Sequence, residues 1–192
     1  EVEAGTIELE WSSISGNIDV VNNIDTVKDE KPMTIRVGSV LGYWMPKSST
    51  PVLKLHMNGC VSTVDISVNL EAPHVNTASN TDALDFAYLS AAGGFFGSMA
   101  PGVNVVSGTI EGSSYSGSIV YRSKDESLPS IGGFMGVWGN GPISFSDNVV
   151  NGSAINYRGP YANIGALVGA VKNSKDTVFV NNLKVEKGIE AS

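Results

Sequence analysis

Two Tyr–Arg pairs are the residues whose types and spacing best suit ligand chemistry. Tyrosine rings can cover the C–H faces of a sugar, while guanidinium and amide groups donate hydrogen bonds to its hydroxyls. If neighbouring strands align in register, the two pairs lie one strand spacing, about 4.8 Å, apart. The alternative is a cross-strand packing pair with solvated arginines. The candidate ligand-binding residues are Tyr121, Arg122, Asn156, Tyr157, Arg158 and Tyr161.

The sequence argues against a catalytic or metal centre. His56 lies in an alternating, strand-like segment and His74 in a loop, without a third ligand at zinc-site spacing. The stretch GSSYSGS at 112–118 lacks the strand-to-helix setting and the histidine partner of a nucleophile elbow. We therefore expect no catalytic residue, no metal and no cofactor. A glycoside hydrolase or lyase with paired carboxylates stays an alternative, and its candidate acids are Glu111, Asp125, Glu126 and Asp147.

Composition narrows both the fold class and the partners. The chain has 192 residues and 22 glycines, and it is rich in Val, Ile, Ser, Thr and Asn, which favours strands joined by tight turns and an all-β class. The net charge is −7 and the basic residues are scattered, so we do not expect nucleic acid as a partner. No apolar run approaches the ~20 residues of a membrane helix, so we expect no membrane insertion. Cys60 has no second cysteine to pair with and is predicted to be a buried thiol.

A glycine-containing apolar pattern recurs four times at unequal intervals. Its glycines are suited to close backbone approach and sharp corners. The last position of each copy is bulky and apolar, which predicts a ladder of core side chains at Trp44, Met99, Trp138 and Val171. The copies are VGSVLGYW at 37–44, AGGFFGSM at 92–99, IGGFMGVW at 131–138 and IGALVGAV at 164–171.

Each copy is followed by a second strand-like segment that ends in a turn. We expect the bends at residues that tolerate left-handed dihedrals, namely Asn58, Gly108, Asn148 and Asn182. The N-terminal region resembles this second segment without the glycine segment before it. The predicted organisation is one repeat domain over 1–192, with a partial coil at 5–34 and repeats at 35–90, 91–129, 130–162 and 163–192.

Stacking of such units predicts a short, parallel, β-helix-like solenoid of four to five irregular coils. Each coil would pair with the next along its backbone and bury recurring apolar positions in one continuous core. A β-sandwich with internal duplication and antiparallel strands is the alternative fold. The insertion at 71–91 lengthens the first full repeat, and it is either a recognition loop or a capping excursion.

The repeats resemble the GLUG-motif family of bacterial surface and secreted proteins. The likeness rests on Gly38 to Gly42, Gly94 to Gly97, Gly133 to Gly136 and Ala166 to Gly169, with Ser39 and Ala166 standing in place of the first motif glycine. The family includes adhesin-like chains and some immunoglobulin A peptidases. The resemblance implies a repetitive extracellular or cell-surface module and no reaction of its own.

The function predicted from these observations is a non-catalytic adhesion or binding module of a bacterial surface or secreted protein. A glycan or a host surface protein would be its partner. The alternatives are a polysaccharide-active enzyme, an accessory domain of a secreted peptidase, and a structural spacer. The chain begins with Glu1 rather than Met, so we expect that an N-terminal segment has been removed, which is compatible with export.

Overall fold

The computed structural model describes a chain built of β-strands. It describes residues 5–22, 35–44, 53–70, 90–99, 106–123, 128–139, 141–151, 155–159, 161–171, 178–186 and 188–191. Every regular element within these ranges is a strand, which confirms the all-β class. The same ranges hold no helix of the length and apolar character that crossing a membrane requires.

The strands fall into groups that follow the repeats. The first group is β1 (Gly5–Glu10) and β2 (Ser13–Asn22), and the second is β3 (Arg36–Gly38), β4 (Leu41–Trp44), β5 (Leu53–Asn58) and β6 (Val61–Leu70). The third is β7 (Ala91–Gly93), β8 (Phe96–Met99), β9 (Val106–Glu111), β10 (Ser114–Tyr115) and β11 (Ile119–Ser123). The fourth is β12 (Ser130–Gly132), β13 (Met135–Trp138), β14 (Ile143–Ser146), β15 (Val149–Val150) and β16 (Ile155–Arg158). The fifth is β17 (Asn163–Gly165), β18 (Val168–Val171), β19 (Val178–Asn181), β20 (Lys184–Val185) and β21 (Glu190–Ala191).

These strands form four sheets, and each sheet takes its neighbouring strands from successive groups. Sheet 1 has the order β1-β5-β9-β14-β19. Sheet 2 is eight-stranded: β6 pairs with β2 on one side and with β10 and β11 on the other, and the order continues to β15 and β20 and to β16 and β21. Sheet 3 has the order β3-β7-β12-β17, and sheet 4 has the order β4-β8-β13-β18.

Every strand pair among the described residues is parallel, and equivalent repeat positions lie opposite one another. Gly38 pairs with Gly93, Gly93 with Gly132, and Gly132 with Gly165. The predicted alignment of the glycine segments is therefore confirmed, although the intervals between them differ. An antiparallel sandwich does not account for these strands, because parallel neighbours need a long connection through other elements and not a hairpin.

The paired glycines allow sheets 3 and 4 to touch through their backbones. A Cβ atom at Gly136 would lie 2.6 Å from the oxygen of Gly97, 2.7 Å from that of Ser130 and 2.8 Å from the nitrogen of Ala92. Side chains with a Cβ do not fit between backbones at this distance. The apolar residues between the glycines instead point into the core, where the rings of Phe95 and Phe134 pack with centroids 5.1 Å apart and planes tilted by 36°.

The core runs through all four repeats. Trp44, Met99 and Trp138 lie opposite one another in sheet 4, and all three are buried, which confirms the predicted ladder. Val171 continues the ladder and is half-buried, because β18 is an edge strand. Cys60 is buried as predicted.

A column of left-handed residues forms the corner between sheets 1 and 2. The positive φ angles belong to Trp11 (47°), Gly59 (61°), Gly112 (55°), Asp147 (54°) and Asn182 (51°). The sequence prediction of the bend was right for Asn182 and wrong for the other three residues. The bends are at Gly59 and not Asn58, and at Asp147 and not Asn148, while Gly108 lies inside β9. The amide of each of the first four corner residues donates to a carbonyl at the end of the next strand in sheet 1.

Asn148 has a different role from the predicted bend. Its Oδ1 accepts from the amide of Ser113 at 3.0 Å, and its Nδ2 donates to the carbonyl of Ile110 at 2.9 Å. Ser113 in turn accepts from the amide of Cys60 through its Oγ at 3.0 Å. These buried side chains join three successive repeats just inside the corner.

The contact between sheets 3 and 4 gives a direct test. We expect Gly136→Ala to lower the free energy of unfolding by about 2–3 kcal/mol, because the added Cβ overpacks against rigid backbone. Denaturant titration measures the change. The control is Gly188→Ala, which has open space around its added Cβ and is expected to change stability by less than about 0.5 kcal/mol. Equal stabilities of the two variants would contradict the close packing.

Candidate functional site

The two Tyr–Arg pairs lie side by side, as the sequence predicted. Tyr121 pairs with Tyr157 and Arg122 with Arg158 in the parallel register of β11 and β16. The two strands are neighbours in sheet 2, so the paired residues are separated by about one strand spacing, ~4.8 Å. Register alone therefore brings together residues that are far apart in the sequence.

The predicted use of the tyrosine rings as a surface platform is wrong. Tyr121 has 0% and Tyr157 3% of its surface exposed, and the two rings pack in the core with centroids 6.1 Å apart. The reason is the alternation of a strand, in which successive side chains point to opposite faces. A Tyr–Arg dipeptide cannot place both side chains on the same face, so the rings point inward and the guanidinium groups outward.

The outward side of sheet 2 carries the polar residues of the candidate site. Arg122 is flanked by Asn69 on one side and Arg158 on the other, and the neighbouring row contains Ser67, Val120 and Asn156. We call this patch the arginine face; it comprises Ser67, Asn69, Val120, Arg122, Asn156 and Arg158. Sequence reasoning missed Asn69. The signal was present in the alternation of DISVNL at 65–70, which places Asn69 outward.

Tyr161 is the predicted aromatic residue that does lie at the surface. Its side chain is 68% exposed, just beyond the end of β16. The buried hydroxyl of Tyr157 donates to the carbonyl of Tyr161 at 2.8 Å and fixes the backbone there. Tyr157 thus positions the exposed ring instead of presenting its own.

Arg122 and Arg158 give the arginine face two positive charges, and the row of Ser67, Val120 and Asn156 continues to Asp19 on one side and to Glu190 on the other. Arg122 and Arg158 are exposed. Among the described residues an ion pair joins Lys184 and Glu186, and neither arginine pairs with a described carboxylate. Asn156 is within 3.5 Å of the Glu190 carboxylate through its Nδ2. Both arginines lie on the exposed side of sheet 2, where their guanidinium groups can donate hydrogen bonds to a ligand.

Other sequence candidates fall into separate places. Glu111 is exposed at the end of β9, and Asp147 accepts a hydrogen bond from Asn182 at the corner, at 2.6 Å. His56 is half-buried in β5. The described part of the chain contains no group of three or more His, Cys, Asp or Glu placed to hold a metal. Asp125, Glu126, His74 and residues 71–89 of the insertion lie outside the described residues.

Comparison with known proteins adds no family assignment. No family model matches the chain, and no match was found among curated proteins or solved structures. The GLUG-motif resemblance stays a prediction.

Substitution of one Tyr–Arg pair tests the inward and outward assignment. We expect Tyr121→Ala to cost about 3–5 kcal/mol of unfolding free energy, because it removes a fully buried ring. Arg122→Ala is expected to change stability by less than about 0.5 kcal/mol, because its side chain is at the surface. Thermal and denaturant unfolding measure both. A Tyr121→Ala variant as stable as the parent would contradict the buried position.

Proposed function

We propose that this chain is a short parallel β-solenoid of GLUG-like coils that acts as a non-catalytic adhesion or binding module, secreted or held at a bacterial cell surface. The solenoid is supported by the sheet orders, because each of the four sheets gains strands from successive repeats. The glycine segments that carry the GLUG resemblance pair with one another in sheets 3 and 4.

The proposed ligand is a glycan, bound on the arginine face. The observation that carries this proposal is the side-by-side placement of Arg122 and Arg158, both exposed on the outward side of sheet 2. Guanidinium groups present several fixed donors, and Asn69 and Asn156 lie beside the two arginines on the same face of the sheet. A hydroxyl-rich chain lying along the sheet can use such a repeated set of polar groups.

Tyr161 extends the proposed site at one end. Its exposed ring lies three residues after Arg158, at the point where β16 leaves the sheet. An aromatic ring beside hydrogen-bond donors suits a sugar, which has both C–H faces and hydroxyls. In this proposal the arginines and asparagines bind hydroxyl or acidic groups, and Tyr161 packs against one sugar ring.

The experiment measures binding and turnover together. The protein is incubated with an array of host and dietary glycans, and both retained protein and newly released sugar ends are scored. We expect retention without release, and we expect the double variant Arg122→Ala/Arg158→Ala to lose at least tenfold in affinity. Tyr161→Ala is expected to lose affinity for the same glycans.

The control removes two positive charges elsewhere. Lys54→Ala/Lys184→Ala changes the net charge by the same amount at two exposed positions outside the arginine face. We expect it to bind like the parent protein. If both double variants lose the same affinity for glycans, the binding comes from overall charge and not from a site on the arginine face. Released sugar ends would favour a polysaccharide-active enzyme. If no glycan retains the protein and none is cleaved, the proposal is overturned.

A further inference from the structure

Trp11 departs from the other residues of the corner column. Gly59, Gly112, Asp147 and Asn182 are residue types that adopt a left-handed conformation at low cost. Trp11 has the same conformation, with φ of 47°, although a bulky side chain makes it sterically unfavourable. Backbone strain of this kind persists where surrounding structure enforces it, and it is concentrated at functional sites.

The Trp11 side chain is also the most exposed large apolar residue among those described. Its exposed fraction is 77%, whereas Trp44 and Trp138 are buried at 5% and 0%. A tryptophan that contributed mainly to packing would be expected to bury its ring. Trp11 joins two edge strands, so no described coil lies beyond it to cover its ring, and the left-handed backbone gives no preference for tryptophan at this position.

One part of the indole lies directly over Gly59. A Cβ at Gly59 would overlap three indole atoms, Cδ2, Cε3 and Cζ3, so the ring is seated where that glycine has no side chain. The glycine is needed both for its left-handed φ and for this contact. The indole is thus held against Gly59 while most of the surface of Trp11 faces solvent; we call this exposed ring the platform.

The residues that immediately precede the corner column in the first three strand groups are polar and form a row in register. Glu10, Asn58 and Glu111 lie opposite one another at the ends of β1, β5 and β9, immediately before the corner residues. Both carboxylates are exposed, and Asn58 is half-buried between them. The Cα atoms of Glu10 and Glu111 are separated by two strand spacings, roughly 10 Å, with Asn58 midway, so the three residues present hydrogen-bonding groups along a line.

We propose that Trp11, with Glu10, Asn58 and Glu111, is a second carbohydrate subsite that binds one neutral pyranose ring. The C–H face of the sugar stacks on the indole, and its hydroxyls donate to the two carboxylates and exchange hydrogen bonds with the amide of Asn58. The site is on the corner between sheets 1 and 2 and uses no residue of the arginine face. It therefore does not rest on the function proposed above.

A cationic ligand is the main competing occupant, because an indole can bind an ammonium group. The row favours the sugar, since its three outward side chains recur at one strand spacing and each can bind a hydroxyl, whereas a single ammonium group would use only part of the row. Titrations with neutral gluco-, manno- and galacto-oligosaccharides, and with choline and lysine, distinguish the two. Acrylamide quenches the fluorescence of exposed tryptophans, and the other two tryptophans are buried. A ligand that covers Trp11 is therefore detected as reduced quenching of the tryptophan emission.

We expect at least one neutral oligosaccharide to protect Trp11 from acrylamide in a saturable manner. Trp11→Asn is expected to weaken that binding at least tenfold, measured by calorimetry, while leaving the melting temperature unchanged or higher. Asparagine is the residue at the equivalent position 182, where it has nearly the same φ of 51°. Glu10→Gln/Glu111→Gln is expected to weaken binding at unchanged stability.

Three results would overturn the proposal. Trp11→Asn could lower the melting temperature without changing sugar binding, which would make the residue a structural cap. Choline or lysine could protect Trp11 while every oligosaccharide fails, which would make the site cationic. Third, neither the oligosaccharides nor choline nor lysine could protect Trp11 from acrylamide, which would leave the indole without a ligand. The variant Arg122→Ala/Arg158→Ala is expected to keep Trp11 protection, so failure of the arginine face and failure of this subsite are separate outcomes.

Discussion

Backbone contact between sheets 3 and 4 is the constraint on which the rest of the structure depends. These sheets approach so closely at Gly97 and Gly136 that no Cβ fits between them. The phenylalanines and tryptophans of the same segments must then point to the other side, where they fill the core. The paired glycines and the bulky apolar residues of the repeat are two consequences of one packing arrangement. Replacing either would require the sheets of each coil to pack at a different distance.

Register carries this local arrangement along the whole molecule. Because all described pairs are parallel and equivalent positions are aligned, any outward residue type that recurs becomes a row on the surface. Arg122 and Arg158 form such a row on sheet 2, and Glu10, Asn58 and Glu111 form another beside the corner. Both proposed sites are therefore products of stacking. Neither depends on a cleft, and each uses side chains from more than one repeat.

Part of this was predictable from the sequence. The glycine copies gave the correct alignment, the core ladder at Trp44 and Trp138, and the pairing of Tyr121 with Tyr157, because these follow from a recurring pattern. The direction of the tyrosines was missed although alternation within a strand determines it. The corner was misplaced by one residue at Asn58 and Asn148, since asparagine serves equally in a left-handed bend and in a buried hydrogen bond, and Trp11 has no residue-type preference that marks it as a bend.

Cysteine coupling tests the parallel register most directly. Asn69 and Arg122 are register partners on the surface of sheet 2, whereas Ser67 is one row away from Arg122. Under mild oxidation, Asn69→Cys/Arg122→Cys is predicted to form an internal disulfide, because the paired Cα atoms lie within bonding range. Ser67→Cys/Arg122→Cys is predicted to couple poorly, because its Cα atoms are roughly 8 Å apart. Equal or faster coupling of the offset pair would contradict the register and the account built on it.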